Sequence, residues 1–431
     1  MIHSLTIKNF LSFRDEVTYS FEASKDRTFE DHHVVEAAKG VRLLKLGILY
    51  GSNASGKSNL IAAFQFLINF WFIGTDNKYS GTNAIPFLLD KTSRNHPSVF
   101  KLVFYKDGIK YVYYLEVDQK AVLYEKLDMY PGTQPATLFE RNYDEKSDVS
   151  KIVFKGKNNI SKITQDELNV KCLKNMSVLA ALRKINAYLN GLSDVTKWLF
   201  DHVFNSIVPN DPLQHFSEEL IKTNPSHKLK MLECLKEADF NISDINVKEF
   251  VQSVDDDFIK QAQTIGNFLS IRASVIEDLK KDKSFKYPVT EFKHTVVSDG
   301  RKEIYGLPIE WQSEGTKRIF GLFGAIIKSI EDNAFITIDE IESKLHPRLI
   351  EYVLEHFLRN SDQAQVLVAT HYDNLFDETD LLRKDNFWFT EKREDGSTKL
   401  YPLTGFNGLN RISSLQKAYK YGKFGAVPNI D

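Results

Sequence analysis

Cysteine is almost missing from these 431 residues: only Cys172 and Cys234 occur, and neither sits in a C-x-x-C pair or a His-rich spacing. That pattern argues against a disulfide framework and a structural zinc, and for a reducing compartment. An excess of one charge is missing too. Lys and Arg number 56 against 58 Asp and Glu, a formal net charge of -2 with a pI near 6.6. Net charge therefore gives DNA as a partner no support, and a nucleic-acid role would need local basic patches. Two lysine clusters, one of Lys151, Lys155, Lys157 and Lys162 and one of Lys280, Lys281, Lys283 and Lys286, read as solvated loops. No apolar run is long enough to cross a bilayer. The most apolar, Leu60 to Gly74, is interrupted by Gln65 and Asn69 and reads as a buried helix. The opening "MIHSLTIKNF" lacks the charged and apolar regions of a signal peptide. A soluble cytoplasmic protein with no membrane attachment is expected.

Apolar content of 42% supports a folded chain, and its length exceeds what one hydrophobic core usually fills. The segments "SLTIKNFLSF" and "EVTYSFEA" alternate and predict two strands joined by a turn. "LLKLGILYG" predicts a third strand, feeding the apolar helix through a glycine-rich turn. From Ser98 to Tyr130 the pattern is that of an antiparallel meander, with turns at Asp107-Gly108 and Asp118-Gln119. Helical periodicity then takes over from about Ser177 to Lys283. One stripe from Asp255 to Leu279 has Asp255, Asp256 and Asp257 at its N-terminal dipole. Short strands and helices return from Thr290. The expected division is 1–176 as the N-terminal part of a head, 177–289 as a helical insertion and 290–431 as the C-terminal part of the head.

The turn "GSNASGKS" fits G-x-x-x-x-G-K-[ST] between an apolar strand and a helix. In that reading the backbone of Gly51, Ser52, Asn53, Ala54, Ser55 and Gly56, continuing to Asn59, surrounds the phosphates of ATP. Lys57 reaches the β and γ oxygens, and the Ser58 hydroxyl ligates Mg²⁺. The plain alternative is a glycine-rich turn. A second apolar strand, "AFITIDE", ends in Asp339 and Glu340: the first suits Mg²⁺, the second the polarisation of an attacking water. Its alternative is a polar turn. A third, "AQVLVATH", ends in His371, either a contact for the γ-phosphate or water, or part of a helix cap. The string "QSEGTKR" holds Ser313 and Gly315 just ahead of an apolar helix and is also ordinary cap chemistry.

In this order, P-loop, Ser-x-Gly string, Asp-Glu strand and strand-end His resemble an ABC-type ATPase. The resemblance implies two heads packed head to tail, with the Ser313 hydroxyl and the amides around Gly315 binding the γ-phosphate held by the partner's P-loop. The wide separation of Lys57 from Ser313 and the opening "IKNFLSF" are similar to the RecF, SMC and OLD branch. "LPIEWQSEGTKRIFGLFGAII", "ITIDEIESKLHPRLIEYVLEHF", "VLVATHYDNL", "LLRKDNFWFTEKREDGSTKLYPL" and "YKYGKFGAVP" resemble the RloA and AbiL-type ATPases of bacterial antiphage and abortive-infection systems, to which the PARIS ATPase is related. Two departures stand out: Gln312 precedes Ser313 where that family usually has Glu, and no Gln suited to a Q-loop lies near "IPFLLD". The stretch after His371 is short for a nuclease-type domain in cis, so the resemblance implies a separate effector chain, such as a TOPRIM-like protein. The fold implied is an α/β P-loop ABC-type head with an antiparallel β-lobe and an inserted helical lobe. The function implied is a nucleotide-gated homo-oligomeric sensor or scaffold. Its rivals are a RecF-type DNA-repair ATPase and a structural oligomer that binds ATP with little turnover. The C-terminal "KAYKYGKFGAVPNID" has no periodicity and reads as a tail against the core or a docking segment.

Overall fold

A computed structural model describes residues 1–155, 160–238, 240–253 and 283–428. The chain divides into two compact units, Met1–Asp211 with Lys328–Asp431, and Pro212–Ile327.

The first unit contains two large sheets. Strands β1 (Ile2–Lys8), β2 (Val17–Ser20), β6 (Ser98–Lys106), β7 (Ile109–Val117), β8 (Val122–Tyr130), β9 (Ala136–Asp144) and β10 (Val149–Phe154) form a seven-stranded antiparallel sheet in the order β10-β9-β8-β7-β6-β1-β2. The other is five-stranded. Its β14 (Phe335–Ile338), β15 (Gln365–Ala369), β5 (Leu46–Tyr50) and β16 (Phe387–Lys392) are parallel, and β17 (Thr398–Pro402) closes the edge antiparallel to β16. All residues of β5, β14 and β15 are buried, as expected of parallel strands covered on both faces.

"LLKLGILYG" breaks into two strands at Lys45. Val41–Leu44 (β4) pairs with Val34–Ala38 (β3), and only Leu46–Tyr50 enters the parallel sheet. Lys45 is buried at the break, its Nζ donating to the Ser361 carbonyl at 2.5 Å. The helix Lys57–Phe72 follows β5 and is buried on most sides. Phe66 stacks on Phe100 of the antiparallel sheet at 4.9 Å, and Phe64 meets Phe335 of the parallel sheet at 4.9 Å. One hydrophobic core thus joins the helix to both sheets.

The helices after Ser177 also belong to this core. Val178, Leu179, Leu192, Val195 and Leu199 are buried in it, and the fully buried pair Glu125 and Arg141 ties their entrance to the meander. Glu125 accepts the Val178 N–H at 3.0 Å, while Arg141 donates to the carbonyls of Met176 at 2.5 Å and Leu173 at 2.9 Å.

The second unit begins at Pro212 and ends at Ile327. The expected divisions at 176/177 and 289/290 therefore do not coincide with the compact units. Nor is the inserted unit wholly helical. Beside the helices Gln214–Thr223 and Pro225–Glu237 it holds an antiparallel sheet of β11 (Asp244–Ser253), β12 (Ser284–Ser298) and β13 (Arg301–Pro308). The helix expected from Asp255 to Leu279 lies outside the described residues, as do Lys157, Lys280 and Lys281 of the lysine clusters. A helix runs from Glu314 to Glu331, and its "GLFG" allows a close crossing. A Cβ on Gly324 would lie 2.0 Å from Ser217 Oγ, which instead donates to the Phe320 carbonyl at 2.8 Å.

Candidate functional site

The turn leaving β5 is held by three distant segments. Ser55 Oγ and Thr390 Oγ1 of β16 share a hydrogen bond of 2.7 Å, Thr398 Oγ1 of β17 donates to the Ser55 carbonyl at 2.8 Å, and Asn59 Nδ2 donates to Ser12 Oγ at 2.7 Å. Gly56 has φ of +113°, and a Cβ there would meet Thr398 Oγ1 at 2.4 Å, so only glycine serves this position. Ala54 holds a left-handed φ of 59° without that freedom, a conformation kept by the surrounding bonds.

Lys57, the first helical residue, is buried with its side chain folded back over the loop. Its Nζ donates to the Gly51 carbonyl at 2.8 Å, the Ser52 carbonyl at 3.3 Å and Nε2 of a neutral His371 at 3.0 Å. Burial lowers the ammonium pKa to about 8, against the opposing pull of Asp339, Glu342 and Glu340. Burial also lowers His371, and the Lys57 charge lowers it further.

A cleft of about 670 Å³ opens over this loop, a size typical of small-molecule sites. Asn53 to Asn59, Asp339, Glu340 and His371 line it. The order of parallel strands accounts for the convergence: β15 lies between β14 and β5, so the C-terminal ends of all three open on one edge. Asp339 is fixed by its N–H, which donates to the Ile207 carbonyl at 2.8 Å, yet its Oδ1 is buried without a partner in the protein. Such an oxygen fits a hard cation. Glu340 is exposed and takes a left-handed φ of 47° at the strand end.

The cleft has further parts that the sequence motifs did not single out. Leu11, Ser12, Ile85 to Leu89, Lys392 and Gly396 also line it. The stretch "IPFLLD", where a Q-loop glutamine would be expected, supplies an apolar wall instead. Glu342 is not among the lining residues but supports one of them: its Oε1 takes the His371 N–H at 2.6 Å, and its Oε2 is buried without a partner. Its signal in the sequence was a third acid in "IDEIESK". Ser313 and Gly315 lie in the second unit and are not among the residues lining the cleft. There Ser313 caps the Glu314–Glu331 helix: its Oγ accepts the Thr316 N–H at 3.1 Å.

A phosphate-loop turn between a buried parallel strand and a helix, with acids and a histidine at the neighbouring strand ends, defines a P-loop ATPase of α/β fold. The family profile described as "AAA domain, putative AbiEii toxin, Type IV TA system" matches residues 48–377. The chain belongs to that family. Solved structures similar to it include the SMC head domain from Thermotoga maritima, at 12% identity over 93% of this chain and 98% of that one, TM-score 0.39. They also include an Smc head bound to the C-terminal winged-helix domain of ScpA, at 14% identity over 97% and 99%, TM-score 0.40. An Smc head with an extended coiled coil bound to the C-terminal domain of ScpA, derived from Pyrococcus furiosus, shares 15% identity over 98% of both chains, TM-score 0.38. No curated protein is significantly similar to this chain. Among the described residues no helix is long and apolar enough to cross a membrane.

Proposed function

We propose that this chain is an ABC-type head that binds and hydrolyses Mg-ATP at composite sites between subunits, as the nucleotide-gated sensor or scaffold of a bacterial antiphage system of the RloA and AbiL type. The observation that carries the ATPase reading is the convergence of Lys57, Asp339, Glu340 and His371 on one cleft beside the P-loop. The loop amides and Lys57 hold the β and γ phosphates. Ser58 and Asp339 offer the oxygens for Mg²⁺, which when bound neutralises charge on the transferred phosphate. Glu340 orients the attacking water and accepts its proton, and His371 contacts the γ-phosphate or that water. Ser313 and the amides near Gly315 complete the site on the partner's nucleotide, the task to which a helix N-terminus is suited.

The defence role is supported by the sequence resemblance and by membership of a family described as a putative AbiEii toxin of a type IV TA system. It implies an effector on a separate chain, such as a TOPRIM-like nuclease. Glu340→Gln keeps the shape of the side chain and removes its charge. The variant should bind ATP with native affinity, lose roughly a hundredfold or more in turnover, and accumulate as an ATP-bound pair of heads. Native turnover would refute the role of Glu340. Turnover stimulated by duplex DNA would favour a repair ATPase over a defence sensor.

A further inference from the structure

Of the four tryptophans, Trp71 and Trp388 are buried and Trp198 is half-buried, while Trp311 is 76% exposed. Its backbone is well anchored. The 3₁₀ turn Ile309–Trp311 buries Ile309, the Gln312 N–H returns to the Ile309 carbonyl at 3.0 Å, and Gln312 Nε2 bonds His294 Nε2 at 3.1 Å. Two residues later Ser313 caps its helix. A large indole thus projects into solvent from a fixed scaffold beside the string assigned to the γ-phosphate.

A second exposed apolar feature flanks the nucleotide cleft. Ile85, Leu88 and Leu89 line it and are 44%, 46% and 67% exposed. Their backbone is also fixed: the Ile85 carbonyl accepts the Leu11 N–H at 2.8 Å, and the buried Phe87 donates its N–H to Asn9 Oδ1 at 3.1 Å. The charge balance beside the two features differs. Glu310 and Glu314 flank Trp311, Glu314 being paired with Lys317 at 3.0 Å, whereas Lys91 and Arg94 outnumber Asp90 next to the leucines and Lys392 joins Asp339 and Glu340 in the cleft wall.

We infer that Trp311 of one copy of this chain docks on the Ile85, Leu88 and Leu89 rim of a second copy, sealing the nucleotide cleft as the Ser313 string is brought to it. The inference rests on the composite-site reading above and adds the contact that holds the two halves together. An exposed aromatic on a rigid turn loses little entropy on docking and buries about 150–250 Å² of its own surface. Tryptophan anchors of this kind dominate interfaces. Apolar closure around a charged site also excludes water from the phosphates.

The test uses the full chain carrying Glu340→Gln, so that Mg-ATP accumulates the paired state. Trp311→Cys and Leu89→Cys are made as separate proteins, mixed with Mg-ATP under mild oxidation, and run without reductant; the native Cys172 and Cys234 are both buried. The mixture should give a band of doubled mass at least about ten times stronger than either protein alone or the mixture without nucleotide. In parallel, Trp311→Phe should abolish a blue shift of tryptophan emission that accompanies pairing, and Trp311→Ala should weaken pairing roughly tenfold or more. Pairing seen by light scattering with no cross-link and no emission shift would overturn the docking of Trp311 and leave the composite site standing. No pairing in Mg-ATP, with ATP shown to be bound, would overturn the composite site and the docking with it. A shift in emission with ATP on single heads would assign Trp311 to the nucleobase instead.

Discussion

The P-loop and the Ser313 string are both small-residue turns that start a helix, yet the fold treats them differently. Gly51, Ser55, Gly56 and Lys57 are buried and braced by hydrogen bonds from residues 12, 390 and 398. Around them other strands supply acids, a histidine and an apolar wall. Ser313 is exposed, and its Oγ is engaged by Thr316, three residues on. The first turn is one wall of a cavity. The second is a helix start whose remaining N–H groups and dipole can hold an anion only when another surface brings one.

The largest difference is expected from Lys57→Ala. It removes the buried ammonium facing the phosphates and should weaken ATP binding roughly a hundredfold, by calorimetry or a fluorescent analogue; near-native affinity would detach the cleft from nucleotide. The same group predicts a pH dependence. Burial lowers its pKa to about 8, and bound phosphate favours the charged form. ATP affinity should therefore be flat below that pH and fall as pH rises through it, by up to about tenfold per unit. Lys57→Met should lose this dependence.

Next comes Glu342, which holds the backbone at His371. Glu342→Ala should lower kcat about tenfold with ATP affinity retained, because the end of β15 loses a charge-assisted bond. Glu342→Gln keeps an acceptor and should recover most of the loss. If the two variants fall equally, the charge rather than the positioning matters. The smallest effect is reserved for Ser313→Ala on isolated heads. Loss of a cap costs about 1 kcal/mol in thermal or denaturant unfolding, with ATP binding unchanged. A large loss of ATP affinity in single heads would erase the contrast between the two turns.

What the sequence made legible follows the range of each signal. The alternation of Leu5 and Ile7, and of the Ser98–Tyr130 strands, appears in the antiparallel sheet with the expected turns. The motif residues from Gly51 to Asn59, with Asp339, Glu340 and His371, were readable because each sits where an apolar strand stops. The cleft's other walls were not, since Leu11, Ile85 to Leu89 and Gly396 are aperiodic loop residues joined only by folding. Helical stripes mark a buried face without saying which core buries it, so the sequence alone places the helices after Ser177 in the insertion, whereas Glu125 and Arg141 bind their entrance to the meander. The same holds for the C-terminal stretch. Its helix Leu415–Lys420 is too short to show a period, but Tyr419 stacks on Phe389 at 5.9 Å and Phe424 is buried, so the described part of the tail folds against β16.

The most direct measurement is ATP turnover in a mixture of Ser313→Arg and Lys57→Ala proteins, each inactive alone, after subunit exchange has been verified. Arginine is chosen because its planar fork does not fit where a small hydroxyl meets phosphate. If the string serves the neighbour, one site in each mixed pair combines the intact P-loop of the Ser313→Arg chain with the intact string of the Lys57→Ala chain, and turnover returns in part. If the subunits exchange and turnover stays absent, or if Ser313→Arg is fully active by itself, the composite site is contradicted and "WQSEGTKRIF" is a helix cap.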